Sequence, residues 1–247
     1  DSSFVKAIIL GAGQGKRLLP LTADIPKALL DVGGHTLIHR QIEALAGAGV
    51  REVVVITGYG ASVMERELAQ CGRARAVSIR TVYNPFFAVA DNLASCWMAR
   101  HEMDGEFLQI NGDNVFRDQL VTELLGSSSA HPVTVAVNRK SRYDADDMKV
   151  MLDGARLTEI GKMLPAEAVD AEAIGLYAFR GEGVGRYRAA LEAAMAEPNG
   201  LKQWFPHAVG RLAKEIAVAT CDVSGHDWCE IDFPVDLQAA RQMVARW

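Results

Sequence analysis

Between Ala7 and Lys27 an apolar run, a glycine-rich turn and three cations follow one another: Ala7-Ile8-Ile9-Leu10-Gly11-Ala12-Gly13-Gln14-Gly15-Lys16-Arg17, then Pro20-Leu21-Thr22 and Ile25-Pro26-Lys27. The run from Val5 to Leu10 reads as a short buried strand, and the glycines after it let backbone N–H groups come close to an anionic ligand. Arg17 offers a planar fork for phosphate oxygens, and Lys27, behind the stiff Ile25-Pro26 step, offers a point charge. Together they read as a triphosphate grip. Two familiar glycine loops do not fit. A P-loop needs Gly-Lys-Ser/Thr, but Gly15-Lys16 is followed by Arg17, so the magnesium-binding hydroxyl is missing. The dinucleotide fingerprint, counted from Gly11, places its third glycine at Lys16, where charge replaces the small residue needed for close helix packing. A bare Gly-x-Gly-x-Gly also describes an ordinary tight turn; the offsets of Arg17, Pro20-Leu21-Thr22 and Pro26-Lys27 set this one apart.

These residues satisfy in full the pattern G-x-G-x-R-(L/M)-x-P-L-T-x-x-x-P-K, and on them the chain resembles the nucleotidyltransferases that activate sugar phosphates and phosphocholine-type alcohol phosphates. The resemblance implies a three-layer α/β/α Rossmann-like fold with a mixed, mostly parallel central sheet. It assigns the β- and γ-phosphates of the nucleotide to Gly11, Gly13, Gly15 and Arg17, counts Leu10, Ala12, Gln14 and Lys16 with them in the nucleotide site, and places Lys27 near the α-phosphate under attack. Arg17 and Lys27 are then the catalytic cations. It also implies magnesium, held by one aspartate from each of two places: Asp113 in Gln109-Ile110-Asn111-Gly112-Asp113-Asn114 and Asp232 in Glu230-Ile231-Asp232. Two phosphate groups must approach each other, and a hard dication on one or two carboxylates offsets their repulsion. From the residues alone, Asp113 is equally a turn acid and Asp232 an N-cap for the helix after Phe233-Pro234. Asp227 and Asp236 are other sources of the second ligand.

Further along, short matches resemble the cytidylyltransferases of phosphocholine and related phosphonates more than the hexose-1-phosphate enzymes. They are Tyr83-Asn84-Pro85, Asp91-Asn92-Leu93-Ala94-Ser95, Asp146-Asp147-Met148-Lys149-Val150, Ile160-Gly161-Lys162, Glu172-Ala173-Ile174-Gly175-Leu176 and Trp228-x-Glu230-Ile231-Asp232. On this resemblance Asn84, Asn92 and Ser95 join the nucleotide site. A cationic head group calls for carboxylates and aromatic faces, which Asp91, Asp146, Asp147, Glu172, Trp204 and Trp228 supply, and Lys149 and Lys162 suit its phosphate. Each has a plainer reading: Asp91 as a helix cap, Asp146 and Asp147 as solvated loop charges, Trp204 as packing, the lysines as exposed strand residues.

The implied reaction is attack of a phosphate or phosphonate oxygen on the α-phosphorus of CTP, with pyrophosphate leaving. The acceptor is already ionised at neutral pH, so positioning and charge stabilisation are the enzyme's task. Two other readings share the loop. One is a sugar-1-phosphate transferase using UTP, dTTP or GTP; the other is a silent nucleotide-sensing subunit, against which Lys27, Asp113 and Asp232 stand together.

The elements that must carry these residues alternate. Strand patterns at 6–10, 52–57, 77–84, 106–111 and 133–138 are interleaved with helical patterns at 37–48, 61–70, 92–100 and 117–125, predicting a parallel sheet covered on both faces, with ligands at the carboxyl ends of the strands. Gly126-Ser127-Ser128-Ser129 reads as a surface turn. Beyond Arg139 shorter strands at 149–152, 158–160 and 174–179 and helices at 186–196, 202–212 and 235–244 are expected. One domain results, residues 1–138 forming the nucleotide half and 139–247 the acceptor half. The chain has 247 residues and a formal charge of −5, which disfavours nucleic acid. It has no membrane-length apolar segment or signal-peptide pattern, so a cytoplasmic protein is expected. The four cysteines, Cys71, Cys96, Cys221 and Cys229, form no Cys-x-x-Cys pair, which argues against zinc. Asp1-Ser2-Ser3 lacks an initiator methionine, as a processed end would.

Overall fold

Buried aliphatic runs alternate with amphipathic helices throughout the computed structural model, which describes residues 5–247; Asp1-Ser2-Ser3 lies outside it. The strands are β1 (Lys6–Leu10), β2 (Glu52–Thr57), β3 (Ser78–Tyr83), β4 (Phe107–Asn111), β5 (Asn114–Phe116), β6 (Val133–Asn138), β7 (Lys149–Asp153), β8 (Arg156–Gly161), β9 (Ala171–Phe179), β10 (Val218–Asp222) and β11 (Trp228–Glu230). The helices are α1 (Leu37–Gly47), α2 (Ala61–Arg75), α3 (Asn92–Met98), α4 (Asp118–Ser128), α5 (Glu182–Met195), α6 (Pro206–Leu212) and α7 (Pro234–Val244). Two compact units result, and they do not divide at residue 138. The first gathers the chain up to Ala88, Ile110–Val121 and His226–Trp247; the second comprises Val89–Gln109 and Thr122–Gly225.

In the first unit β1, β2 and β3 run parallel, with Ile8 opposite Val54 and Val54 opposite Arg80. Val53, Val54, Val55 and Ile56 are all fully buried, as expected of a strand covered on both faces. Thr36 caps α1 by accepting from His39 N–H at 3.2 Å. A two-stranded antiparallel ribbon pairs β5 with β11, Cys229 opposite Val115 and Glu230 opposite Asn114. Its register joins two segments that are far apart in sequence. One apolar cluster, including Leu18, Leu30, Leu37, Val115, Ile231 and Leu237, fastens these pieces together. Each such side chain contributes roughly 1.5–3 kcal/mol on burial. Leu18 follows Arg17, and Ile231 precedes Asp232, so the core that stabilises this unit also fixes where its charges emerge.

The second unit is mixed. β6 pairs antiparallel with β9 and parallel with β10, and β7 pairs antiparallel with β8 and β9. All nine residues of β9 are buried. Phe107, Phe179 and Tyr187 stack at 4.9 and 4.0 Å between successive rings, while Tyr187 keeps its hydroxyl satisfied by donating to Gln109 Oε1 at 3.0 Å. The helix expected over 202–212 is broken. A tight turn at Gly200–Lys202 precedes α6, which starts with Pro206 at its first position, where a missing N–H costs nothing. The expected turn at 126–129 is instead the end of α4, because the Ser128 hydroxyl is buried, donates to Leu125 O at 3.0 Å and accepts from Arg180 Nε at 3.0 Å. Among the described residues no helix is long and apolar enough to cross a membrane.

Candidate active site

Gly11 does not turn its N–H toward a ligand, contrary to expectation; it donates to Ile56 O at 2.9 Å and extends the β1–β2 ladder. The packing there is tight, since a Cβ would lie 3.1 Å from Ile56 O and 3.2 Å from Val55 Cγ1. Ala12 is buried and its carbonyl accepts from Tyr59 N–H at 3.0 Å. Gly13 is open, with nothing within 4 Å of a Cβ position. Gly15 is left-handed at φ +78°, and a Cβ on it would sit 2.9 Å from Lys27 Cε. Thr22, fully buried, donates its hydroxyl to Gly15 O at 2.8 Å, and Gln14 Nε2 donates to Thr22 O at 3.2 Å. The Pro-Leu-Thr step therefore fastens the glycine turn that leads into the Lys16–Leu18 helical turn. Gly15→Ala should cost about 1–2 kcal/mol of stability through the left-handed backbone. It should also push Lys27 aside, lowering turnover by about 10²-fold; urea unfolding run beside rate measurements checks both.

Lys27, after Pro26, donates its ammonium to Asp232 Oδ1 at 2.9 Å and lies 3.8 Å from Asp113 Oδ2. Arg17 Nη2 is 3.3 Å from the same Asp232 oxygen, and its guanidinium lies 4.9 Å above the Phe233 ring. Two cations and two carboxylates named from the sequence thus meet in one cluster. Asp232 is not a helix cap: Asp236 Oδ2 takes that role, accepting from Asp232 N–H at 3.0 Å and Phe233 N–H at 2.8 Å. Asp227 accepts from Trp247 Nε1 at 3.2 Å. Gly112 brings the Asp113 turn against the end of β1, where a Cβ would lie 2.0 Å from Leu10 O. Ile231 N–H donates to Asp113 O at 2.8 Å and ties the turn to the segment bearing Asp232.

A third carboxylate went unassigned in the sequence. Asp113, Glu230 and Asp232 each offer a ligand oxygen within 4.8 Å of the others. The signal was present: with Glu230-Ile231-Asp232 read as the end of a strand, Glu230 and Asp232, two residues apart, share a side. A set of carboxylate oxygens is the donor set of a hard dication, and Asp113 Oδ1 is buried without a hydrogen-bond partner. Burial pushes the Asp113 carboxyl up to about 6, with Asp232 adding to the rise and Lys27 opposing it. Burial also acts on Asp232, but Lys27 and Arg17 outweigh it and hold that carboxyl below its ordinary range.

The remaining residues expected at the nucleotide, Asn84, Asn92 and Ser95, and those expected at the acceptor are more dispersed. Asn84 is buried, and its Oδ1 accepts from Phe86 N–H at 2.9 Å; Asn92 Oδ1 accepts from Phe205 N–H at 2.8 Å. Those side-chain oxygens hold backbone. Ser95 is buried on α3, and Trp228 lies half-buried on β11 opposite Phe116. Asp91 precedes α3 without capping it through its side chain. Lys149 is corrected outright: it is buried, with its ammonium 2.8 Å from Lys162 O, 3.3 Å from Asp147 O and 3.5 Å from Ala145 O. Lys140, unassigned in the sequence, joins Asp147 at 2.7 Å and Glu172 at 3.4 Å, and Asn138 Nδ2 donates to Glu172 at 2.9 Å. These two carboxylates are therefore already paired. Lys162 places its ammonium 4.0 Å from the centre of the half-exposed Trp204 ring.

Residues 6–148 match the nucleotidyl transferase family, and the chain, with its glycine loop, paired aspartates and mixed α/β fold, belongs to that family. It is similar to a bifunctional IPC transferase and DIPP synthase of Rubrobacter xylanophilus, 29% identical over 98% of this chain and 52% of the relative. A CMP-5'-(3-aminopropyl)phosphonate synthase of Streptomyces rubellomurinus is 30% identical over 97% of this chain and 39% of its own length. A CTP:phosphoglutamine cytidylyltransferase of Campylobacter jejuni is 25% identical over 95% of this chain and 98% of its own length. The chain thus spans about half, or less, of the longer relatives. The structure of a CTP:phosphocholine cytidylyltransferase from Streptococcus pneumoniae shares the fold, with TM-score 0.77, 22% identity, and coverage of 97% of this chain and 99% of that one.

Proposed function

We propose that this chain transfers CMP from CTP to a small acceptor bearing a phosphate or phosphonate, of the phosphocholine, phosphoethanolamine or 2-aminoethylphosphonate type, releasing pyrophosphate. The observation that carries the reading is Lys27, bonded to Asp232 and 3.8 Å from Asp113, beside the glycine turn that Thr22 fastens. Similarity to a CMP-5'-(3-aminopropyl)phosphonate synthase and a CTP:phosphoglutamine cytidylyltransferase supports the choice of nucleotide.

In this reading Lys27 stabilises charge on the α-phosphate, and Arg17, with Lys16 and the open backbone from Gly13 to Gly15, holds the departing pyrophosphate. The acceptor oxygen attacks in line and needs no base, because it is ionised at neutral pH. Asp113, Asp232 and Glu230 would hold magnesium, whose charge would offset the repulsion between the two phosphate groups. Lys162, over the Trp204 ring, is assigned to the acceptor phosphate, and Asp91 to a cationic head group.

Pyrophosphate release tests this across CTP, UTP, dTTP and GTP, each with phosphocholine, 2-aminoethylphosphonate and hexose-1-phosphates. Release is expected with CTP and the first two acceptors. Release with UTP, dTTP or GTP and a hexose-1-phosphate replaces the reading with a sugar-1-phosphate transferase, and silence with every pair replaces it with a sensor.

A further inference from the structure

Helix α1 turns Leu37, Ile38, Ile42 and Leu45 into the core, and on the same face it buries Gln41 completely. An amide among aliphatic side chains costs free energy unless both its ends are bonded. Only one end is. Gln41 Nε2 donates to Asn111 O at 3.0 Å and to Asn114 O at 2.8 Å, while Oε1 is buried without a hydrogen-bond partner. The orphaned oxygen offsets much of what the two bonds contribute, so this side chain adds little to stability. Its two bonds land on either side of Gly112-Asp113. The turn is gripped from one side by this amide and from the other by the close approach of Gly112 to Leu10 O.

We propose that Gln41 is a positioning residue that sets the Asp113 carboxylate for a divalent cation. The inference rests on the metal reading given above. An apolar side chain at this position would fill the space but leave both carbonyls without their donor. A core residue that costs stability at one end and clamps a candidate metal ligand at the other acts through that ligand.

Mn2+ binding measured by electron paramagnetic resonance on the full chain tests this, together with CTP affinity without metal and the melting temperature. Gln41→Met, close in volume, should raise the Mn2+ Kd by about 10–100-fold. It should leave CTP affinity without metal unchanged, and turnover at limiting Mg2+ should recover in part as Mg2+ is raised. A merely structural glutamine would shift the melting temperature and leave the Mn2+ Kd alone. A folded Gln41→Met protein with wild-type Mn2+ affinity overturns the proposal. If that variant does not fold, Gln41→Asn carries the same test: its amide is one methylene short, so Mn2+ should again bind more weakly, and unchanged affinity overturns the proposal. Asp113→Asn separates the two levels. If it too binds Mn2+ like wild type, the metal reading itself fails; if it loses Mn2+ while folded Gln41→Met does not, only the role of Gln41 fails.

Discussion

Lys27→Met should lower turnover on the order of 10²–10³-fold while tightening the binding of a divalent cation offered without nucleotide. The two effects have opposite signs because Lys27 serves one partner at the expense of another. Its ammonium lies 2.9 Å from Asp232 Oδ1, with Arg17 at 3.3 Å from the same oxygen, so the carboxylate that would face a metal is already neutralised from two sides. A triphosphate that draws both cations away frees Asp232, and a metal that takes Asp232 frees both cations for phosphate. Binding of the two ligands is then mutually reinforcing. With Lys27 removed, Arg17 alone opposes the metal, and the partly screened pair energy corresponds to roughly tenfold tighter Mn2+ binding. Mn2+ titration and single-turnover rates on the same preparation measure both. Wild-type turnover would remove Lys27 from the chemistry, and weaker Mn2+ binding would contradict the competition.

Asp113→Asn should cost at least about 10²-fold in turnover and yet stabilise the metal-free protein at neutral pH. The sign follows from the carboxyl, raised from 3.8 to about 6 by burial against the pull of Lys27. A raised pKa means the folded chain prefers the neutral acid, so the stability this group provides is fully present below about pH 4 and is lost as pH rises through about 6. Asparagine is neutral throughout and escapes that loss. The advantage of Asn over Asp should therefore be small at pH 4, grow between pH 4 and 6, and level off above pH 7 at about 3 kcal/mol. Urea unfolding in the presence of a chelator at several pH values reads it. A variant less stable than wild type across the whole range would contradict the assignment of burial as the dominant effect.

The first unit was legible because its signals are long or local. β1 and β2 match the sequence reading residue for residue, since continuous Val and Ile runs between helical periods admit few other forms. The loop was legible because all its parts lie within one short segment. What escaped were elements that show no period: β5, of three residues, and β10, whose Val-Ala-Thr-Cys-Asp has little aliphatic content. Helix α5 starts at Glu182 rather than at 186 because Gly183 and Gly185 weaken its pattern. Of the site, Arg17, Lys27, Asp113 and Asp232 were found, whereas Glu230 and Gln41 were not. A glutamine on an amphipathic helix reads as surface, and only the backbone carbonyls of a distant turn reveal why it is inside. Lys149 shows the converse. Strand alternation treats a lysine as exposed, but three carbonyls gather around its ammonium in the interior.

The most direct test of the account follows the phosphorus. CTP labelled with 32P at the α position, and separately at the γ position, is incubated with the purified protein, Mg2+ and phosphocholine or 2-aminoethylphosphonate. The α label should appear in the CMP-linked acceptor and the γ label in pyrophosphate, and neither transfer should occur with Lys27→Met or Asp113→Asn at comparable times. A γ label on the acceptor, or transfer undiminished in both variants, would contradict it.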